Sequence, residues 1–262
     1  MKLLTEKVEM KSYASDLLEK GKRANGRGMD EFREIEIIPN FIEKAEGSAF
    51  VRFGNTKVIA GVKMELSTPF SDTPDEGTLM VSAEFTPLAS PDFESGPPSD
   101  KAVELARIVD RSIRESHMLD LKKLCITPGE KTRGVIVDIH IINNDGGLID
   151  CAALASVVAL LTTKIPKVKD DKMVRDDFEG PLPTSQKPIT ITVCKVGNTF
   201  ITDPTVDEEE AVDVKLSIGI RDDDKICAMQ KQGSAGMTIK DVETAIDIAI
   251  KKSKDLRKLI KV

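Results

Sequence analysis

The stretch Gly47-Ser48-Ala49-Phe50-Val51-Arg52-Phe53-Gly54-Asn55-Thr56-Lys57-Val58 decides the fold. It reads as two strands, Gly47 to Phe53 and Lys57 to Lys63, joined by the Gly54-Asn55 pair. A two-residue turn needs positive φ angles, which glycine and asparagine supply at least cost, so this is the strongest short hairpin signal in the chain. Outward from it, Arg33 to Ile38 and Thr78 to Phe85 are further strand-like runs, and the Pro-, Ser- and Gly-rich residues 86–99 form a loop. Ser99 is then a good N-cap for a helix over Asp100 to His117, with Ala102, Ala106, Val109 and Ile113 as its apolar stripe. A strand over Gly134 to Ile142 leads through Asn143-Asn144-Asp145-Gly146-Gly147 into a small-residue helix, Ile149 to Thr163, and Pro166 closes this lobe.

The rest of the chain repeats the theme. Residues 167–188 mix Pro, Lys and Asp without periodicity and predict a connecting loop. Strands follow at Ile189 to Val196, Thr199 to Thr202, Val212 to Ile220 and Lys225 to Lys231, with Arg221-Asp222-Asp223-Asp224 as the last turn, and then a helix from Ile239 to Leu259. At the other end, Lys2 to Lys20 is helix-compatible and stops at Gly21; the basic stretch Lys22 to Gly28 reads as an exposed arm. The expected division is 1–21 as an N-terminal helix, 22–166 as a first domain, 167–188 as the connection and 189–262 as a second domain, in α+β style.

Composition narrows the function. At 262 residues, with 40% apolar and 31% charged side chains, the chain is neither collagen-like, disordered nor coiled-coil. No window holds the roughly 18 apolar residues of a membrane span, and charge breaks the N-terminus before a signal core can form, so a soluble, cytoplasmic protein is expected. Cys125, Cys151, Cys194 and Cys227 are widely scattered and read as reduced thiols. The two histidines, His117 and His140, are too few for a zinc cluster and read as structural residues among apolar neighbours. No metal and no cofactor is expected. A net charge of −6, no Trp and one Tyr argue against a dedicated nucleic-acid binder, so any such role needs a local patch or a partner.

Three groups of residues could carry chemistry. Arg107, Arg111 and Arg114 are spaced by four and then three, which places them within about a sixth of the helix circumference, away from the apolar stripe. Such a strip suits successive phosphates of an extended single strand, while Glu104, Asp110 and Glu115 offer the alternative of a salt-bridged face. Gly146-Gly147 opens a helix after a strand, a place that suits an anion, yet Leu148, Ile149 and Asp150 follow, two bulky apolar groups and an acid. Asp203, Asp207, Glu208, Glu209, Glu210 and Asp213 are dense enough to hold Mg²⁺ or act as acids and bases, or to form a solvated charge run. No Walker loop, no nucleophile elbow and no dinucleotide fingerprint is present.

In this order the motifs resemble the RNase PH family, chiefly through Arg27-Gly28, Glu34 to Ile38 and the Gly47 to Val58 run, and the resemblance covers the chain from about residue 22 onward. Leu105 to Ser116, Asp203-Pro204-Thr205 with Glu208-Glu209-Glu210, and Lys225 to Lys231 are similar to the non-catalytic ring subunit of the archaeal exosome. The resemblance implies an RNase-PH-like (ribosomal S5 domain 2-like) fold of two pseudo-repeated strand-helix lobes. It implies a ring of three heterodimers with a catalytic RNase-PH-like paralogue, RNA-binding cap subunits, and single-stranded RNA as substrate, with no membrane. Active members carry a hydroxyl residue and a basic or second hydroxyl residue after the glycine pair, where this chain has Leu148 and Ile149, with Asp150 adding repulsion; their paired aspartates are not reproduced around Glu209 and Asp213. The expectation is therefore a subunit with no catalytic residue, whose Arg107 and Arg111, with Arg114 third, contact RNA. The rivals are a divergent phosphate-dependent 3′→5′ exoribonuclease active by itself and a scaffold with no RNA contact.

Overall fold

The computed structural model describes residues 12–170 and 172–262. The hairpin forms as read: β2 (Gly47–Phe53) pairs antiparallel with β3 (Thr56–Ser67), turning at Gly54-Asn55. Alternation along both strands sends Ala49, Val51 and Phe53, then Val58, Ala60, Val62 and Met64, to one buried face. β1 (Ile35–Pro39) adds at the β2 edge, and β6 (Lys131–Asn143) pairs with β3 so that Ile141, Ile139, Val137 and Val135 meet the same core. β4 (Thr78–Phe85) lies parallel to β6 on its other side, giving the order β1-β2-β3-β6-β4, with the short β5 (Cys125–Thr127) appended to β6.

A parallel pair needs a crossover, and α2 (Asp100–Glu115) lies within it. Ser99 caps α2 by accepting the Ala102 N–H, and the stripe Ala102, Ala106, Val109 and Ile113 is buried as its spacing requires. α3 (Leu148–Thr162) follows β6 and is apolar nearly all round, because it packs against β2 and β3 on one side and the second sheet on the other. That sheet runs β10-β9-β11-β12, from β9 (Ile189–Val196), β10 (Thr199–Thr202), β11 (Val214–Ile220) and β12 (Ile226–Gln232). α5 (Ile239–Leu259) covers β9 and β11, burying Ala245, Ala249, Ser253 and Leu256 with Val242 and Ile246 half-buried beside them. One continuous apolar core runs from Ala49 in the first sheet to Leu256 in the last helix.

Four expectations are corrected. Residues 167–188 are not a plain loop: β7 (Lys164–Lys169) and β8 (Lys172–Pro181) form a hairpin, pinned by Lys167 and Lys169 on Asp177 and by Arg133 on Glu179. The arm is exposed at Lys22, Ala24, Asn25, Gly26 and Gly28, but its two arginines turn inward: Arg23 is only 4% accessible and Arg27 is half-buried. The acidic segment holds a short helix, α4 (Val206–Glu210), closed by a reciprocal cap between Thr205 and Glu208. The histidines are not enclosed by apolar neighbours: His117 is exposed at the end of α2 with φ +54°, and His140 faces Glu84 at 3.3 Å on the open side of the first sheet. Residues 2–11 of the expected N-terminal helix lie outside the described residues; 12–19 are helical (α1) and Gly21 has φ +69°. The cysteines are all free, and burial pushes the Cys151 and Cys194 thiols far up. Among the described residues no helix is long and apolar enough to cross a membrane.

Gly47 tests the packing of β2 on α3. A Cβ there would stand 2.2 Å from Thr163 Oγ1 and 2.4 Å from the Ala159 carbonyl, and backbone cannot swing aside. Gly47→Ala is expected to lower unfolding free energy by about 2 kcal/mol or more, read as a shift in the urea midpoint.

Candidate functional site: a filled anion cradle and a free arginine pair

Asp203 is fully buried, holds a left-handed φ of +47°, and is surrounded by arginines. Arg33 donates to its Oδ1 at 2.6 Å and, through the backbone N–H, to Oδ2 at 2.7 Å; Arg27 donates to Oδ2 at 2.9 Å. Beside it, Arg23 forms a two-pronged pair with Glu208, at 2.8 and 2.5 Å, and donates to the Thr202 and Asp203 carbonyls. Burial alone would raise the Glu208 carboxyl, but hydrogen bonds from Arg23 and the Thr205 amide, with the charges of Arg23 and Arg27, together hold it below the usual range. This network binds the basic arm to the acidic segment, and it accounts for two of the six acids.

Arg33 also reaches the glycine turn. Its Nη1 donates to the Asp145 carbonyl at 2.6 Å and its Nη2 to the Gly146 carbonyl at 3.0 Å. Thr56, the first residue of β3, donates its hydroxyl to the Gly146 carbonyl at 2.6 Å and receives the Asp145 N–H. Gly146 and Gly147 have φ of +80° and +66°, and a Cβ on Gly146 would sit 2.4 Å from the Pro204 carbonyl. Only glycine fits there.

At the start of α3 the Gly147 N–H already has an anion. Glu209 Oε1 accepts it at 3.2 Å and takes the Lys215 ammonium at 2.9 Å. Burial pulls Lys215 down, and the charge and hydrogen bond of Glu209 together with Cys194 and Asp150 more than offset that, leaving it above the ordinary lysine range. Leu148, Ile149 and Phe85 line the adjoining cleft of about 260 Å³. Asp150 does not face an incoming anion there. It is 2% exposed and its Oδ2 accepts the Thr192 N–H of β9 at 2.9 Å, tying α3 to the second sheet, while Oδ1 has no partner among the described residues. Burial raises its pKa to about 7. The remaining acids disperse: Asp213 accepts the Gly197 N–H, and Asp207 and Glu210 lie at the surface. Among the described residues no three His, Cys, Asp or Glu side chains come together as metal ligands.

The arginine strip divides. Arg114 is engaged, pairing with Asp110 at 2.7 Å and donating to the Leu79 carbonyl at 2.9 Å. Arg107 and Arg111 are exposed; Arg107 has no hydrogen-bond or ion-pair partner among the described residues, and Arg111 only a 3.5 Å contact to Gln230. Both stand at the mouth of a cleft between α2 and the second sheet. Residue types alone miss Glu209 as an internal anion and Arg23, Arg27 and Arg33 as a buried clamp, because their partners lie far away in the chain.

Sequence profiles of a 3′ exoribonuclease family, RNase PH, match over two segments: domain 1 at residues 31–166 and domain 2 at 187–252. Exosome complex component Rrp42 of Thermococcus gammatolerans is 45% identical over 255 residues, 96% of this chain and 93% of its own. Its counterpart from Archaeoglobus fulgidus is 45% identical over 251 residues, 96% and 95% of the two chains. The solved Archaeoglobus fulgidus exosome with RNA bound to the active site contains a chain that superposes with a TM-score of 0.93 at 44% identity, covering 98% of this chain and 100% of that one.

Two variants test the geometry. Arg33→Ala leaves Asp203 buried with too few partners and is expected to cost about 3–5 kcal/mol in urea unfolding. For Asp150 the folded-state pKa lies above the unfolded value, so the folded chain holds the extra proton. The stability this gives is complete below the unfolded pKa of about 4 and is lost as pH rises through about 7. Asp150→Asn, which cannot ionise, is expected to gain stability relative to the parent as pH rises from 5 to 8, by at most about 1.4 kcal/mol per pH unit.

Proposed function

This chain belongs to the RNase PH family of 3′ exoribonucleases, and from that premise we propose that it is the non-catalytic ring subunit of an archaeal exosome, a complex that degrades RNA from its 3′ end using phosphate. The observation that carries the reading is the Glu209–Lys215 pair on the Gly147 amide. A phosphorolytic site must admit inorganic phosphate at such an amide, and here the chain's own carboxylate takes the amide proton and the neighbouring cation together. A second anion would meet Glu209 at close range in a partly buried cleft that Leu148 and Ile149 line together with Lys101 and Glu104. The sites left for action are Arg107 and Arg111, which no acid among the described residues pairs with. A guanidinium pair one helical turn apart grips backbone phosphates without reading bases, which suits a strand that must slide. Arg114, tied to Asp110 and Leu79, is the weaker third contact.

The partners in this reading are a catalytic paralogue of the same fold, alternating with this chain as a trimer of heterodimers, RNA-binding cap subunits and single-stranded RNA, in the cytoplasm. The chain buttresses its partner's active site and supplies cations to the substrate. The net charge of −6 fits a subunit whose attraction for RNA is local rather than global.

Purified alone with RNA and phosphate, the chain is expected to release no nucleoside diphosphate; release would restore the view that it is an enzyme by itself. In the ring reconstituted with its catalytic paralogue, Arg107→Glu with Arg111→Glu should weaken RNA binding at least tenfold. The slope of log affinity against log salt should also fall by roughly 1.4, about 0.7 for each single-strand phosphate that is no longer neutralised. An unchanged RNA turnover would leave only the scaffold role.

A further inference from the structure

The cleft beside the two arginines is itself built. Its volume is about 240 Å³, enclosed between α2 and strands β9, β11 and β12. Val103, Ile108 and Met229 give it apolar walls, while Gly219 and Ala228 contribute almost no side chain and keep it open. Its floor is polar: the buried Thr190 hydroxyl donates to Ser112 Oγ at 2.9 Å, and buried Ser217 shares a 2.9 Å hydrogen bond with Thr192. No acceptor for Ser112's own hydroxyl proton is found among the described residues. Glu104, which also lines the cleft, has no ion-pair partner among the described residues.

We propose that this cleft receives a nucleobase of the RNA strand whose phosphates rest on Arg107 and Arg111. The inference rests on the RNA-holding reading above and extends it from the backbone to a base. Apolar walls match the faces of a flat ring, and hydroxyls at the floor match the donors and acceptors on its edge. A purely apolar side chain of a partner would leave the hydroxyl floor without exchange for water and the two cations unneutralised. Polarity along α2 also sets the orientation. Glu104, one turn before Arg107, repels a phosphate and accepts from an exocyclic amine, so the charged backbone stays over the arginines while an amino-bearing base such as adenine turns inward.

The test uses the ring reconstituted with its catalytic paralogue, without phosphate, and two labelled strands of equal length: oligoadenylate and an abasic sugar-phosphate strand. Ala228→Leu, which fills the cleft, is expected to raise the Kd for oligoadenylate three- to tenfold and to leave the abasic strand unchanged. Arg107→Glu with Arg111→Glu should weaken both strands. If Ala228→Leu changes neither strand, or weakens both equally, while the arginine variant weakens both, the base cleft is refuted and the phosphate grip stands. If the arginine variant changes neither strand, the RNA-holding reading fails with it. Should Ala228→Leu not fold, Ala228→Val fills less of the cleft and is expected to raise the oligoadenylate Kd two- to threefold; no difference from the parent would overturn the proposal.

Discussion

A carboxylate withdrawn from water is an unstable thing unless several donors converge on it, and Asp203 has that convergence. Arg33 and Arg27 reach it from the segment before β1, and Arg33 simultaneously holds the carbonyls of the glycine turn. Four stretches distant in sequence are thereby fixed to one point: the basic arm, the hairpin through Thr56, the entry to α3, and the acidic segment. Buried ion pairs add little net stability over apolar packing, but they tolerate little displacement. That intolerance is what sets Glu209 against the Gly147 amide. The short α4 that carries Glu209 begins three residues after Asp203, so its placement is inherited from the clamp.

The legibility of the sequence follows from range. The β2–β3 hairpin, the capped α2 with its stripe, and the long α5 each depend on spacing within a few residues, and each forms where that spacing places it. The hairpin β7–β8 does not announce itself because its strands are held by lysine–aspartate pairs and lack apolar alternation; the same residues resemble loop composition. Arg23 looks like part of a solvated arm because its partner Glu208 is 185 residues away. Asp150 is a similar case: beside two glycines it suggests a surface charge repelling phosphate, whereas β9 supplies an amide that draws it inward.

The candidate site was legible in part. Helical geometry alone put Arg107, Arg111 and Arg114 on one strip, and residue types alone set two bulky apolar groups at the helix start after Gly147. What spacing does not contain is competition for each guanidinium. Asp110 and the Leu79 carbonyl claim Arg114, while the acids near Arg107 and Arg111 leave these two alone. Nor does it contain the cleft beneath them, whose floor draws on β9 and β11, far along the chain.

The way the glycine turn is closed limits what a change at its neighbours can do. Hydroxyl groups placed at positions 148 and 149 would leave the amide occupied, because Glu209 would still hold it and the Pro204 carbonyl would still leave no room for a side chain at Gly146. Freeing that amide would mean moving Glu209, whose short helix starts just after the clamp at Asp203, so packing and charge hold the same few residues.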